Sequence, residues 1–174
     1  MIDTERLVLR QPVLDDVDSM LELVGDHEVM RWLGGEVGGR DLARATVERW
    51  IAGWEGDGVG HFAILHDGEV IGRVGLLVWD SRVWSTASYE DAGAHAETEL
   101  GWALMRRFWG CGYATEAARA VRSWAYDERG LARVISLISP ENPRSRRVAE
   151  KLGARVEQRV ELPTGPADVW VHPR

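Results

Sequence analysis

Ten residues past the middle of the chain, Arg107-Phe108-Trp109-Gly110-Cys111-Gly112-Tyr113-Ala114-Thr115-Glu116, restrict what this sequence can fold into more than any other stretch. They lead from an apolar strand pattern, Thr98 to Met105, into a helical one, Tyr113 to Glu128, where Ala114, Ala117, Val121 and Ala125 share a face. A short buried strand pattern, Val134 to Ile138, follows. The unit is strand, helix, strand, which commits the chain to a sheet covered by helices. At its first junction two glycines remove Cβ obstruction, so successive backbone N–H groups can point at an anion while the helix dipole adds favourable partial charge. A phosphate or pyrophosphate suits such a loop, although a tight strand-to-helix turn uses glycine with no ligand at all.

The rest of the chain supplies elements for one such sheet. Arg6 to Arg10 alternates apolar and basic side chains and predicts a half-buried strand ended by Pro12. Leu14, Val17, Leu21 and Val24 predict a helix, and Leu42 to Trp54 predicts a second, set off by the glycine pairs 34–35 and 38–39 and stopped by Gly56 and Gly58. His61–Leu65 and Glu69–Trp79, joined by His66-Asp67-Gly68, predict a hairpin. Asp80 to Ala96 is polar, aperiodic and longer than most connections, which predicts a loop able to act as a substrate lid. Asn142 and Pro143 suit a helix start and Gly153 a helix end; Arg155–Leu162 and Ala167–Val171 close the chain as a hairpin. The expected class is α/β (α+β), residues 1–174 in one domain, with a mixed sheet of about seven strands and about four helices.

Composition excludes several functions. No stretch approaches the ~18 apolar residues that span a bilayer, and the opening lacks a signal-peptide pattern, so no membrane role and a cytoplasmic address are expected. Cys111 is the only cysteine, which rules out an internal disulfide. Neither that cysteine nor His27, His61, His66, His95 and His172 has the spacing of a zinc site, and no metal is expected. A net charge of −7 argues against nucleic acid and suits an amine substrate.

The loop lacks the third glycine of the dinucleotide fingerprint and the Gly-Lys-Ser/Thr of a P-loop, so neither NAD nor ATP is favoured. It resembles the Arg/Gln-x-x-Gly-x-Gly/Ala signature of the GNAT acetyltransferases, here Arg107-x-x-Gly110-x-Gly112. Tyr113-Ala114-Thr115-Glu116-Ala117 is similar to the RimJ/RimL-like ribosomal-protein acetyltransferase branch. So are Thr4-Glu5-Arg6-Leu7-Val8-Leu9-Arg10, Glu99-Leu100-Gly101-Trp102, Glu141-Asn142-Pro143-Arg144-Ser145 and Glu150-Lys151-Leu152-Gly153-Ala154.

The resemblance covers essentially the whole chain and implies a GNAT fold with a V-shaped split between strands 98–105 and 134–138. Acetyl-CoA or another acyl-CoA is the implied co-substrate, its pantetheine lying in the split like an added strand. Carried over by position, the backbone amides of Gly110, Gly112, Tyr113 and Ala114 hold the pyrophosphate, with Arg107 and Met105 beside them. Asn142 bonds the pantetheine arm, and Ser145 protonates the leaving thiolate. Capping alone would also explain Asn142, and Arg107 and Ser145 would be unremarkable as surface residues. Glu97 and Glu99 share a strand face as candidate bases for the amine, and the family parallel favours Glu99. The acceptor is a small-molecule amine or a protein N-terminus. At least two of Trp32, Trp50, Trp54, Trp79 and Trp84 are expected to line its pocket, with Trp32, Trp79 and Trp84 as the candidates. A non-catalytic acyl-CoA-binding module on the same fold is the rival reading, and a homodimer is compatible with either.

Overall fold

The computed structural model describes residues 1–174. A two-strand ribbon, β1 (Ile2–Asp3) and β2 (Val8–Arg10), precedes a helical layer of α1 (Val17–Gly25), α2 (His27–Met30) and α3 (Arg40–Gly56). The hairpin β3 (His61–His66) and β4 (Glu69–Asp80) turns at Asp67-Gly68, both at positive φ (50° and 81°), as a two-residue type I′ connection requires. After β5 (Ser85–Thr86) and α4 (Tyr89–Ala92) come β6 (Ala96–Leu104), α5 (Tyr113–Asp127), β7 (Ile135–Ile138), α6 (Pro143–Lys151), β8 (Arg155–Leu162) and β9 (Gly165–Val171). Nine strands and six helices exceed the number expected. The additions are two-residue strands and single-turn helices, too short to leave a periodic signature.

The strands form one sheet in the order β1-β2-β3-β4-β6-β7-β9-β8, with β5 on the end of β4. Every pairing is antiparallel except that of β6 with β7, which share a single parallel bridge, Glu99 to Ile135. Beyond that bridge the two strands part, and the sheet splits. Helices cover both faces, so β4 is buried along nearly its whole length instead of alternating. On one face Ala103 and Met105 of the β6 region pack with Met20, Val47 and Trp50 of α1 and α3. On the other, Leu100 and Leu104 meet Ala117, Val121 and Ala125, the fully buried stripe of α5.

The Asp80–Ala96 segment departs from the lid expected of it. Asp80 holds Arg82, Ser81 bonds the His95 carbonyl, and Tyr89 joins Thr98 through its hydroxyl (2.8 Å) and Asp57 through its amide (2.9 Å). These bonds, most of them local and none of them periodic, tie the stretch to β4, β6 and the end of α3. No helix in the chain is long and apolar enough to cross a membrane.

Candidate active site

Strand parity decides what the split exposes. The amide of Met105 donates to Ile71 of β4 at 2.9 Å, so odd-numbered residues of this strand bond β4, and Leu100, Trp102 and Leu104 turn their backbone groups towards β7 and the split. The Leu100 carbonyl accepts from Ser136 Oγ at 2.6 Å and that of Leu104 from Trp109 Nε1 at 2.8 Å. Trp102 lies between them, at the widening of the V. The split opens into a cleft of about 590 Å³ bounded by β6, the 108–115 loop, β7, α6, the end of α2 and the β8–β9 turn.

The loop crosses the mouth of this cleft. Gly110 (φ 81°) and Gly112 (φ 86°) adopt left-handed conformations that a side chain disfavours, and Gly112 is the N-cap of α5. A Cβ added at Gly110 would meet nothing within 4 Å, so the backbone here can be approached closely by a ligand. Arg144, Arg147 and Lys151 of α6 line the same cleft, with Arg144 stacked 4.5 Å from the Trp109 ring. Two left-handed glycines, a helix N-terminus and three cations fit a pyrophosphate-bearing cofactor. The α6 cations do not stand out in the sequence, because four basic residues on a nine-residue helix look like a solvated face.

The loop is also held from behind. Glu116, in the first turn of α5, accepts from Thr4 Oγ1 (2.7 Å), the Arg6 amide (2.9 Å) and Arg6 Nε (2.8 Å), while Arg6 Nη1 donates to the Cys111 carbonyl at 3.1 Å. Arg6 also lies 4.6 Å from the Tyr113 ring, and the Tyr113 hydroxyl bonds His66 Nε2. Thr4 and Arg6, read from sequence as leading into and starting a strand, therefore brace the loop; only the pairing of distant segments reveals it.

Elsewhere in the cleft, Glu99 is enclosed and receives Trp79 Nε1 on Oε2 at 2.7 Å. Burial pushes its carboxyl above the ordinary value, against smaller opposing effects of the Trp79 bond, Arg73 and the Leu137 amide. Glu97, the alternative base, is held by Arg133 at 3.0 Å and stands outside the cleft. Arg73 of β4 lies beside Glu99 and donates to Nε2 of buried His61 at 2.5 Å. Burial, then the nearby Arg73 and Arg49 charges, hold His61 well below its ordinary value and neutral. Asn142 caps α6, its Oδ1 accepting the Ser145 amide at 3.1 Å, and both residues line the cleft.

The structure brings Glu99, Gly110, Gly112, Tyr113, Ala114, Asn142, Ser145, Trp32 and Trp79 to one cleft. It corrects the expected position of three others. Arg107 turns its guanidinium away to Glu22 (2.9 Å) and Glu69 (2.6 Å), two carboxylates supplied by α1 and β4. Met105 is buried in the α1–α3 core, and Trp84 sits at φ 50° in the turn between β4 and β5, outside the cleft lining. Trp50 and Trp54 pack in the core, whereas Trp102 and Trp109, which belong to the quoted motifs but not to the expected pocket, face the cleft.

The acetyltransferase (GNAT) domain model matches residues 6–155. This chain belongs to the GNAT acetyltransferases. The GNAT chain is 31% identical over 157 residues to the uncharacterized N-acetyltransferase YnaD of Bacillus subtilis, covering 90% of this chain and 83% of that one. An acetyltransferase structure from Agrobacterium tumefaciens superposes with TM-score 0.80 at 27% identity, covering 99% of this chain and 94% of its own. The aminoglycoside acetyltransferase AAC(6')-Ib, in complex with paromomycin and acetyl-CoA, shares the fold at TM-score 0.77 and 20% identity, over 98% and 94% of the chains.

Proposed function

We propose that this GNAT chain works as a single domain that moves an acetyl group from acetyl-CoA to a primary amine by direct attack, with both substrates bound together. The split beside Glu99 carries this reading: a strand edge with free backbone groups, a glycine-rich anion loop at one end and an enclosed carboxylate at the other. Backbone amides of Gly110, Gly112, Tyr113 and Ala114 receive the pyrophosphate, and Arg144, Arg147 and Lys151 add positive charge. The side-chain amide of Asn142, whose Oδ1 serves the cap, reaches the pantetheine arm. Membership of the RimJ/RimL-like branch belongs to the same proposal and is supported by the 113–117 and 4–10 motifs.

In the reaction, the amine loses a proton to Glu99 and its nitrogen attacks the thioester carbonyl, whose developing negative charge is met by backbone N–H of β6. The C–S bond then breaks as the nitrogen gives up its second proton, and Ser145 relays it, donating its hydroxyl proton to the leaving thiolate while it takes up the one from nitrogen. Placement of the two substrates in one cleft supplies the remaining advantage.

Thermal-shift titration tests the cofactor assignment. Acetyl-CoA at ~100 times its dissociation constant adds about 2.7 kcal/mol, a rise of several degrees, whereas NAD adds none. No rise with any acyl-CoA overturns the assignment. A rise without thiol release in the presence of any amine instead identifies a binding module.

A further inference from the structure

Arg73 and Glu99 are oppositely charged neighbours that form no ion pair. Arg73 stands on β4 opposite Ala103, and Glu99 on β6 opposite Leu77, so both project from the same face of the sheet on either side of Gly101. A methyl group on Gly101 would lie 3.3 Å from Arg73 Nη1 and 3.7 Å from Glu99 Oε1. The two charges therefore converge on one small space, and all three residues line the cleft. Each is held back from the other. Trp79 takes Glu99 Oε2, and neutral His61 takes Arg73 Nη1, a partner that leaves the guanidinium charge uncompensated. Arg49, the other cation felt here, likewise has no carboxylate partner, its one side-chain bond going to Thr46.

A partly enclosed guanidinium without a carboxylate is a strong receptor for one, because its planar donors match that group in pairs. A guanidinium at one end of a slot and an amine-deprotonating carboxylate at the other specify a ligand that carries its anion and its amine on one carbon. Resting on the acetyl-transfer reading above, we propose that the acceptor is a free α-amino acid, with its carboxylate on Arg73 and its amine on Glu99. The walls choose among amino acids. Trp32, Leu33, Leu77 and Trp79 give the same cleft apolar lining, and the β8–β9 turn meets the residues after α2 there, since a methyl on Gly34 would collide with Thr164. An apolar or aromatic side chain matches that lining; neither a polyamine nor an aminoglycoside has an anion for Arg73.

Wild-type protein, first shown to bind acetyl-CoA calorimetrically, is assayed for CoA release and acetylated product with matched acceptors: phenylalanine and methionine, their amides, phenethylamine, a peptide N-terminus, spermidine and kanamycin. Loss of a charge-assisted bidentate contact predicts kcat/KM lower by about 30-fold or more for each amide than for its acid. Arg73→Met is expected to shrink the acid-to-amide ratio of kcat/KM from about 30-fold to about threefold or less, whatever change both classes share through Glu99, as removal of a contact made only to the carboxylate requires. Because the preference is measured in the wild type, a variant that fails to fold leaves the comparison intact. Amides, peptide or polyamine used as well as the free acids would overturn the proposal, as would protein that binds acetyl-CoA yet acetylates no free amino acid. Failure to bind acetyl-CoA at all refutes the acetyl-transfer reading beneath it.

Discussion

Glu116→Ala isolates the brace behind the anion loop. The substitution removes the acceptor of three donors: Thr4 Oγ1 at 2.7 Å, the Arg6 amide at 2.9 Å and Arg6 Nε at 2.8 Å. The Arg6 guanidinium is open to solvent and can rehydrate, so nothing is assigned to it. The Thr4 and Arg6 amide bonds, both partly open to solvent and taken at the ordinary net value of about 1 kcal/mol each, together give a loss of about 2 kcal/mol. In a domain of this size that lowers Tm by about 4–8 °C. The functional effect is separate: without Glu116, Arg6 no longer holds the Cys111 carbonyl, and the loop must be ordered by the cofactor itself. Acetyl-CoA affinity then falls by about tenfold, the equivalent of one such bond. Glu116→Gln keeps an acceptor for the Thr4 hydroxyl and should lie between the two. Calorimetric melting with and without acetyl-CoA, together with titration of the ligand, measures both effects. Glu116→Ala with wild-type Tm and unchanged acetyl-CoA affinity would show the brace to be idle.

Gly112→Val places a branched side chain at φ 86°, and the strain of about 1–2 kcal/mol or more should disrupt the loop and sharply reduce acetyl-CoA binding while circular dichroism shows a retained fold. Unchanged affinity in the folded variant would reduce the loop to a turn. Glu99→Gln should lower kcat by about 10²–10⁴ while acetyl-CoA still binds, and the acidic limb of the wild-type pH profile should lie above the usual carboxylate range. A wild-type rate would remove Glu99 from proton transfer. His172, pushed down to about 4 chiefly by burial, stays neutral where the unfolded chain takes up a proton below about 6.5. Stability is thus retained above pH 6.5 and lost as pH falls from 6.5 towards 4, by about 3 kcal/mol from this group alone. His61 acts with the same sign, so His172→Gln should make the decline shallower without abolishing it; equal slopes by denaturant titration would refute the assignment.

What the sequence made legible was local. The Gly110 and Gly112 turn, the Asn142 cap, the hairpin at Asp67-Gly68 and the α5 stripe are each written within a few neighbouring residues, and each stands where the pattern placed it. The site features that were missed join distant segments. Arg73 reads as one polar residue in an apolar strand until the β4–β6 register sets it beside Glu99, and Glu116 reads as an ordinary first-turn acid until Thr4 and Arg6 arrive. Arg107 shows the converse: its motif position was correct, but long-range carboxylates from α1 and β4 claimed its side chain. Trp84 misled because a large ring in a polar stretch looks like a lid residue, whereas here it serves a tight turn.

The single bridge between β6 and β7 also bears on how long the protein persists in a cell. A sheet parted at its centre relies on its two wings and on Ser136 to stay closed, and any chain laid along the Trp102 edge would act as an additional rung. Occupancy of the split would then suppress local opening there, and with it proteolysis and amide exchange through that opening. Protein lifetime would rise and fall with the supply of acyl donor, and exchange of the β6 and β7 amides would report that supply without any turnover.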